Sequence, residues 1–218
     1  MDKNLLAKGE DFVLSDLGTF VQETDKIFVS DPSYNYIEKE HAGDPLVMKL
    51  NLVITDVFIG KWVALICVKN IDHNRNAELI CVHESVDLSN KDINNLEWKF
   101  IDDICVDSGR VGVYDLEYYR NLGLGCKGTL ASQSQVNLTR GDSDNDTWSF
   151  INCLVTSTPT KGGVTPHGAV SSSGYGDGIY PTYILKNSES QVIGVKVVFI
   201  DPDHEQTKIH FKMFGISH

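Results

Sequence analysis

The chain of 218 residues carries a formal net charge of −11 at pH 7, with 41% hydrophobic and 22% charged residues. This composition excludes a disordered or fibrous chain, and the length suits one domain, residues 1–218, with a single core. The acidic balance argues against nucleic acid as a partner, because phosphate recognition needs clustered Lys and Arg side chains.

No apolar run approaches the roughly 20 residues that cross a bilayer, so we expect no membrane partner. The N-terminal residues are charged and lack the apolar core of a signal peptide, which favours a cytoplasmic location. The five cysteines are odd in number and form no CxxC pair. We therefore expect reduced structural thiols and no zinc site.

The first half of the chain shows mainly the patterns of β-strands. Residues 2–17 have only a weak helical or irregular pattern, and short strands are predicted at 20–21 and 27–29. Two strands follow within residues 46–68, where Val, Ile, Leu and Trp are frequent. Residues 61–83 are predicted to form a hairpin with a polar loop.

The second half alternates strands with polar loops. Residues 104–106 are predicted as a strand, and 116–122 as one or two helical turns ended by glycine. Residues 129–146 are polar and predict a long surface loop, after which 147–156 are predicted as a strand. Residues 87–99 permit one short helix or an irregular connection.

The C-terminal part gives the clearest pattern. Two β-rich runs, 182–186 and 191–200, flank a polar turn and predict a hairpin, and 208–214 are a candidate edge strand. The whole pattern predicts a mainly β fold, a β-sandwich or strongly bent antiparallel sheet with one or two short helices.

The densest glycine motif lies at residues 171–181, between two predicted strands. Its glycines admit positive φ and close backbone approach, and its one carboxylate is placed to meet a cation or a ligand hydroxyl. The motif has neither the P-loop lysine nor GxGxxG spacing, and a purely conformational loop is the alternative. With residues from two other motifs, the candidate ligand-binding set is Tyr34, Ser108, Gly174, Tyr175, Gly176, Asp177, Gly178 and Tyr180.

Turn-borne carboxylates form a second candidate set. They follow a predicted strand or adjoin Gly or Pro, and hard oxygen ligands of this kind suit Mg²⁺ or Ca²⁺. The alternative is that each Asp caps its own turn. No cofactor, or one divalent cation, is therefore expected, with the candidate metal ligands Asp31, Asp107, Asp115 and Asp177.

Two further features are weaker. Residues 142–146 alternate oxygen donors, but Thr147 stands where a calcium loop needs Gly and Cys153 where it needs Glu, which excludes an EF-hand. His167 lies between Pro166 and Gly168 and is a candidate acid or base, although a lone exposed His is more often inert.

Three blocks, at residues 27–34, 106–115 and 172–183, resemble the signature blocks of an uncharacterised bacterial and phage-associated family that is labelled only as a domain of unknown function. Ser33 follows Asp-Pro where many members have Cys, which weakens any thiol role there. The family supplies no activity, so the resemblance supports the fold and the choice of motifs.

Three functions are compatible with these observations. The first is a binding domain that recognises a small ligand or a protein partner through an acidic, glycine-rich pocket. The second is a metal-dependent hydrolase in which clustered Asp residues hold the ion and His167 handles a proton. The third is an acidic immunity or anti-defence protein that blocks a basic partner. The lack of a complete nucleophile and base arrangement ranks binding first.

Overall fold

The computed structural model describes residues 5–7, 12–34, 50–69, 74–88, 93, 96–120 and 144–201. In this part of the chain, twelve strands form two antiparallel sheets. The strands are β1 (Leu5–Ala7), β2 (Phe12–Gln22), β3 (Ile27–Ser30), β4 (Asn51–Ile54), β5 (Gly60–Lys69), β6 (Arg75–His83), β7 (Lys99–Val106), β8 (Arg110–Asp115), β9 (Gly162–Thr165), β10 (Gly168–Ser172), β11 (Gly178–Lys186) and β12 (Val192–Val198).

The larger sheet has the strand order β1-β2-β5-β6-β12-β11-β7, and the smaller has the order β4-β3-β8-β10-β9. The sheets share one hydrophobic core, to which the smaller sheet contributes Ile27, Val29 and Val113 and the larger Trp62 and Ile66. The mainly β fold predicted from the sequence is confirmed.

One α-helix, α1 (Asp144–Thr156), packs on the other face of the smaller sheet. Its Trp148, Ile151 and Val155 join Phe28 and Tyr114 in a second apolar cluster. The strand prediction for residues 147–156 is wrong. The three- and four-residue spacing of these apolar positions specifies a helix and outweighs their β propensity.

The irregular or helical prediction for residues 2–17 is also wrong, because β2 occupies much of this segment. The register between β2 and β5 shifts between Asp16 and Gly18, and Gly18 has a φ of 120°. This β-bulge breaks the alternation of side chains that would mark a strand in the sequence.

The two predicted hairpins are confirmed, since β5 pairs with β6 and β11 with β12. A 3-10 turn, Leu116–Tyr118, confirms the first part of the helical prediction after β8. The candidate edge strand at 208–214 and most of the predicted loop at 129–146 lie outside the described residues.

The Tyr114 ring packs against two glycines of the smaller sheet, Gly112 and Gly168, and its hydroxyl reaches α1. A Cβ atom added to Gly112 would overlap the Tyr114 ring, and one added to Gly168 would come within 2.5 Å of it. The Tyr114 hydroxyl donates to Asn152 Oδ1 of α1 at 2.6 Å. The glycines are therefore needed to seat the residue that joins sheet and helix.

We expect Gly112→Ala to lower the free energy of unfolding by about 2–3 kcal/mol, because overpacking forces the Tyr114 ring out of its position. Urea denaturation measures the effect. In a Tyr114→Ala background, where the ring is absent, the same substitution should cost much less. If Gly112→Ala lowers the free energy of unfolding equally in both backgrounds, the glycine is not needed to make room for the Tyr114 ring.

Candidate functional site

The central feature of the candidate site is the buried carboxylate of Asp31, which directly follows β3. Its Oδ2 accepts hydrogen bonds from the backbone N–H groups of Asp107 (2.9 Å) and Ser108 (2.6 Å). Its Oδ1 accepts from the Ser108 hydroxyl (2.7 Å) and the Ser33 N–H (2.8 Å). Asp31 therefore caps both its own turn and the turn that leads into β8.

Asp115, at the end of β8, repeats this arrangement in the opposite direction. Its Oδ2 accepts from the N–H groups of Glu23 (2.7 Å) and Thr24 (2.9 Å), in the turn that leads into β3. Its Oδ1 accepts from the Thr24 hydroxyl (2.8 Å) and the Glu117 N–H (3.1 Å). Each strand of the pair thus ends in an aspartate that caps the turn before the other strand.

The two caps lie at opposite ends of the β3 and β8 pair. Ile27 is opposite Asp115, and Ser30, which precedes Asp31, is opposite Gly112. Four residues of strand correspond to about 13 Å. Each cap accepts four hydrogen bonds, which matches the roughly four lone-pair positions of a carboxylate. Asp31 and Asp115 are thus engaged separately in turn capping.

Asp107 and Asp177, in contrast, lie on neighbouring turns at the Asp31 end. Gly178 is opposite Val106 in the antiparallel pair of β11 and β7. Asp177 precedes Gly178 and Asp107 follows Val106, so the two aspartates occupy adjacent positions just beyond the paired strands. The Ser173 N–H donates to the Gly109 carbonyl at 3.0 Å. We call residues 107–109 and 173–178 together the paired-turn surface.

Hydrogen bonds fix the glycine-rich half of the paired-turn surface. The Gly176 N–H donates to the Ser173 carbonyl (2.7 Å), and the Ser173 hydroxyl donates to the Gly176 carbonyl (2.7 Å). The buried Tyr180 hydroxyl also donates to the Gly176 carbonyl, at 2.6 Å. Gly174 has a φ of 50°, and a Cβ there would come within 2.9 Å of Phe199.

Arg75 secures this turn from the neighbouring β6. Its guanidinium lies 4.7 Å from the centre of the Tyr175 ring, and its Nη1 donates to the Gly174 carbonyl at 3.3 Å. A guanidinium stacked on an aromatic face gains cation–π attraction. Sequence reasoning missed Arg75 because its partners lie 99 positions away along the chain.

Exposure separates the four predicted carboxylates into two classes. Asp31 and Asp115 are fully buried, whereas Asp107 and Asp177 are exposed.

The pKa values of two neighbouring tyrosines are raised. Burial, and then Asp107, raise the pKa of Tyr34 well above its usual range. Asp107 therefore lies close enough to the Tyr34 hydroxyl to disfavour its ionisation. Burial raises the pKa of Tyr180 to about 12, with a further contribution from Asp177.

His167 lies at the Asp115 end, in the turn between β9 and β10. Its ring stacks on Tyr118 with 3.8 Å between centroids, and its carbonyl accepts from the Asp115 N–H at 2.9 Å. Its Nδ1 lies 3.2 Å from the Val21 carbonyl and 3.9 Å from a Glu23 carboxylate oxygen. The structure therefore separates His167 from the Gly motif at residues 171–181, which follows it closely in sequence.

In the described part of the chain, no group of three or more His, Cys, Asp or Glu side chains is arranged to hold a metal ion. None of the helices in that part is long and apolar enough to cross a membrane.

The paired-turn surface and both capping aspartates fall inside a match to a family model. Residues 21–197 match the family described as "Protein of unknown function (DUF4241)". The chain belongs to this family. The resemblance inferred from the three sequence blocks is thereby confirmed, and all three blocks lie within the DUF4241 match. No curated protein and no solved structure matches the chain.

The capping role of Asp31 and Asp115 predicts a large effect of small substitutions. In Asp31→Asn or Asp115→Asn, the amide NH₂ faces N–H and O–H donors and loses charge-assisted bonds worth about 1.5–3 kcal/mol each. We therefore expect each variant to lose about 3 kcal/mol or more of unfolding free energy, measured by urea denaturation.

The matched control is Asp177→Asn, which makes the same chemical change at an exposed position of the paired-turn surface. It should stay within about 0.5 kcal/mol of the wild type. If Asp31→Asn is as stable as this control, Asp31 is not a structural cap.

Proposed function

We propose that this DUF4241 domain is a binding domain, which recognises a positively charged group of a small ligand or protein partner at the paired-turn surface. The supporting observation is the exposure of Asp107 and Asp177 on adjacent turns, each of which is held by partly buried hydrogen bonds. A cationic group placed between them meets two carboxylates, whose mutual repulsion it relieves.

The fixed backbone of the two turns favours recognition. Asp31 holds the Asp107 and Ser108 N–H groups, and Tyr180 and Ser173 hold the Gly176 carbonyl. A surface that is ordered before binding loses less conformational entropy when the partner arrives. The net charge of −11 adds long-range attraction for a basic partner.

Binding is better supported than metal-dependent hydrolysis. The hydrolase hypothesis requires Asp31 as a metal ligand and His167 beside it, but Asp31 already accepts four hydrogen bonds. His167 is hydrogen-bonded through its backbone to Asp115, at the other end of β8. An immunity or anti-defence protein that blocks a basic partner is one form of the proposed binding function.

Nuclear magnetic resonance at low ionic strength tests the proposal with argininamide and spermidine as probes. We expect saturable shifts of the backbone amide signals of residues 107–109 and 174–178. The double variant Asp107→Asn with Asp177→Asn should bind at least tenfold more weakly, because both attracting charges are removed. Parallel titrations with Mg²⁺ and Ca²⁺ distinguish a basic group from a metal ion.

The control is Glu189→Gln, which removes an exposed negative charge in the turn between β11 and β12. It should bind the probes like the wild type. Shifts that are spread over the acidic surface and weakened equally by Glu189→Gln would reject a specific site. Saturation by Mg²⁺ or Ca²⁺ alone would contradict recognition of a basic group.

A further inference from the structure

The indole N–H of Trp148 is buried without a hydrogen-bond acceptor. Trp148 is 4% exposed, and no acceptor in the described part of the chain lies within hydrogen-bonding geometry of its Nε1. The other two tryptophans are satisfied, because Trp62 donates to the Phe58 carbonyl at 3.0 Å and Trp98 to the Ile93 carbonyl at 2.8 Å. A buried donor without a partner is rare in folded proteins, and a bound molecule is one of its ordinary explanations.

The polar groups around Trp148 are directed to other partners. Its ring centre lies 5.2 Å from that of Tyr114 and 5.4 Å from that of Tyr119. The Tyr114 hydroxyl donates to Asn152, and the Tyr119 hydroxyl donates to the Tyr34 carbonyl at 2.5 Å. Neither phenol oxygen accepts from the indole, and no other acceptor for it lies among the described residues, so the indole N–H is available to an acceptor on a bound molecule.

Two arginines lie beside this aromatic cluster. The Arg120 guanidinium lies 6.0 Å from the centre of the Tyr119 ring, and Arg110 donates to Thr156 of α1 at 3.1 Å. Burial raises the pKa of Tyr114 far above its usual range, Tyr119 and the Asp31 carboxylate add to the rise, and the Arg120 and Arg110 charges oppose it. Charges of both signs therefore act on the cluster, and the Asp31 carboxylate already accepts four hydrogen bonds.

Arg120 also has an unusual backbone conformation, with a φ of 58°. An arginine in this left-handed region carries a conformational cost, and such residues concentrate at binding sites. Arg120 is partly exposed and directly follows the buried Tyr119, so it lies at the edge of the aromatic cluster.

We propose that Trp148 and Arg120 form a binding site for a small oxyanion, a carboxylate or phosphate group, on the α1 side of the smaller sheet. Indole and guanidinium groups only donate hydrogen bonds, so their common ligand must accept them. Charge-assisted bonds to Arg are stronger than neutral ones, which favours an anion over a neutral acceptor. This site takes the opposite charge from the paired-turn surface and does not depend on the function proposed there.

The three indole N–H signals of the full chain provide the test, since each tryptophan gives one signal and two are internal controls. We expect inorganic phosphate or acetate, titrated against chloride at constant ionic strength, to shift the Trp148 signal saturably. The Trp62 and Trp98 signals should stay in place, because their N–H groups are already bonded. The phosphate and acetate arms show which oxyanion the site prefers.

Arg120→Gln should weaken the binding at least tenfold, whereas Lys186→Gln, which removes a positive charge from the other sheet, should not. A Trp148 signal that does not respond to either anion would indicate a buried water or an empty contact and overturn the proposal. Equal, unsaturable shifts of all three indoles, or equal loss in both variants, would also overturn it. The wild-type titration decides the question even if Arg120→Gln does not fold.

Discussion

The reciprocal capping of β3 and β8 is the interaction on which the rest of the molecule depends. Asp31 and Asp115 each accept four hydrogen bonds. These bonds satisfy N–H groups in two turns of the smaller sheet, which would otherwise need water as their acceptor. A buried carboxylate is costly unless its acceptor positions are filled, and here they are. The arrangement fixes the antiparallel pair at both ends, and the core residues of β3 and β8 lie between these caps.

The two ends of this pair differ in what they present. At the Asp31 end, β7 and β11 bring a second turn beside the capped one, and two exposed carboxylates result. At the Asp115 end, Tyr118 stacks on His167 and donates to Glu23 at 2.7 Å, so the polar groups there mainly satisfy one another. The same kind of cap therefore supports an accessible acidic surface at one end and a polar cluster whose groups bond to one another at the other end.

The sequence predicted the β-rich fold and both hairpins, and it singled out the turn-borne aspartates as candidate metal ligands. Their roles were not predictable in the same way, because Asp31 is bonded to residues 76 and 77 positions away, and no local pattern records such a contact. The open alternative, that each Asp caps its own turn, describes only the bonds to Ser33 and Glu117. Helix α1 was misassigned because β-branched and aromatic residues obscured its three- and four-residue spacing.

Amide hydrogen exchange at Ser108 tests the central claim most directly. The Ser108 N–H donates to the buried Asp31 carboxylate at 2.6 Å, and the account predicts strong protection of this amide in the wild type. In Asp31→Asn, the Asp107 and Ser108 amides should lose protection first, while those of Glu23 and Thr24, capped by Asp115, retain more of theirs. A Ser108 amide that exchanges in the wild type as fast as in an unstructured peptide would contradict the account.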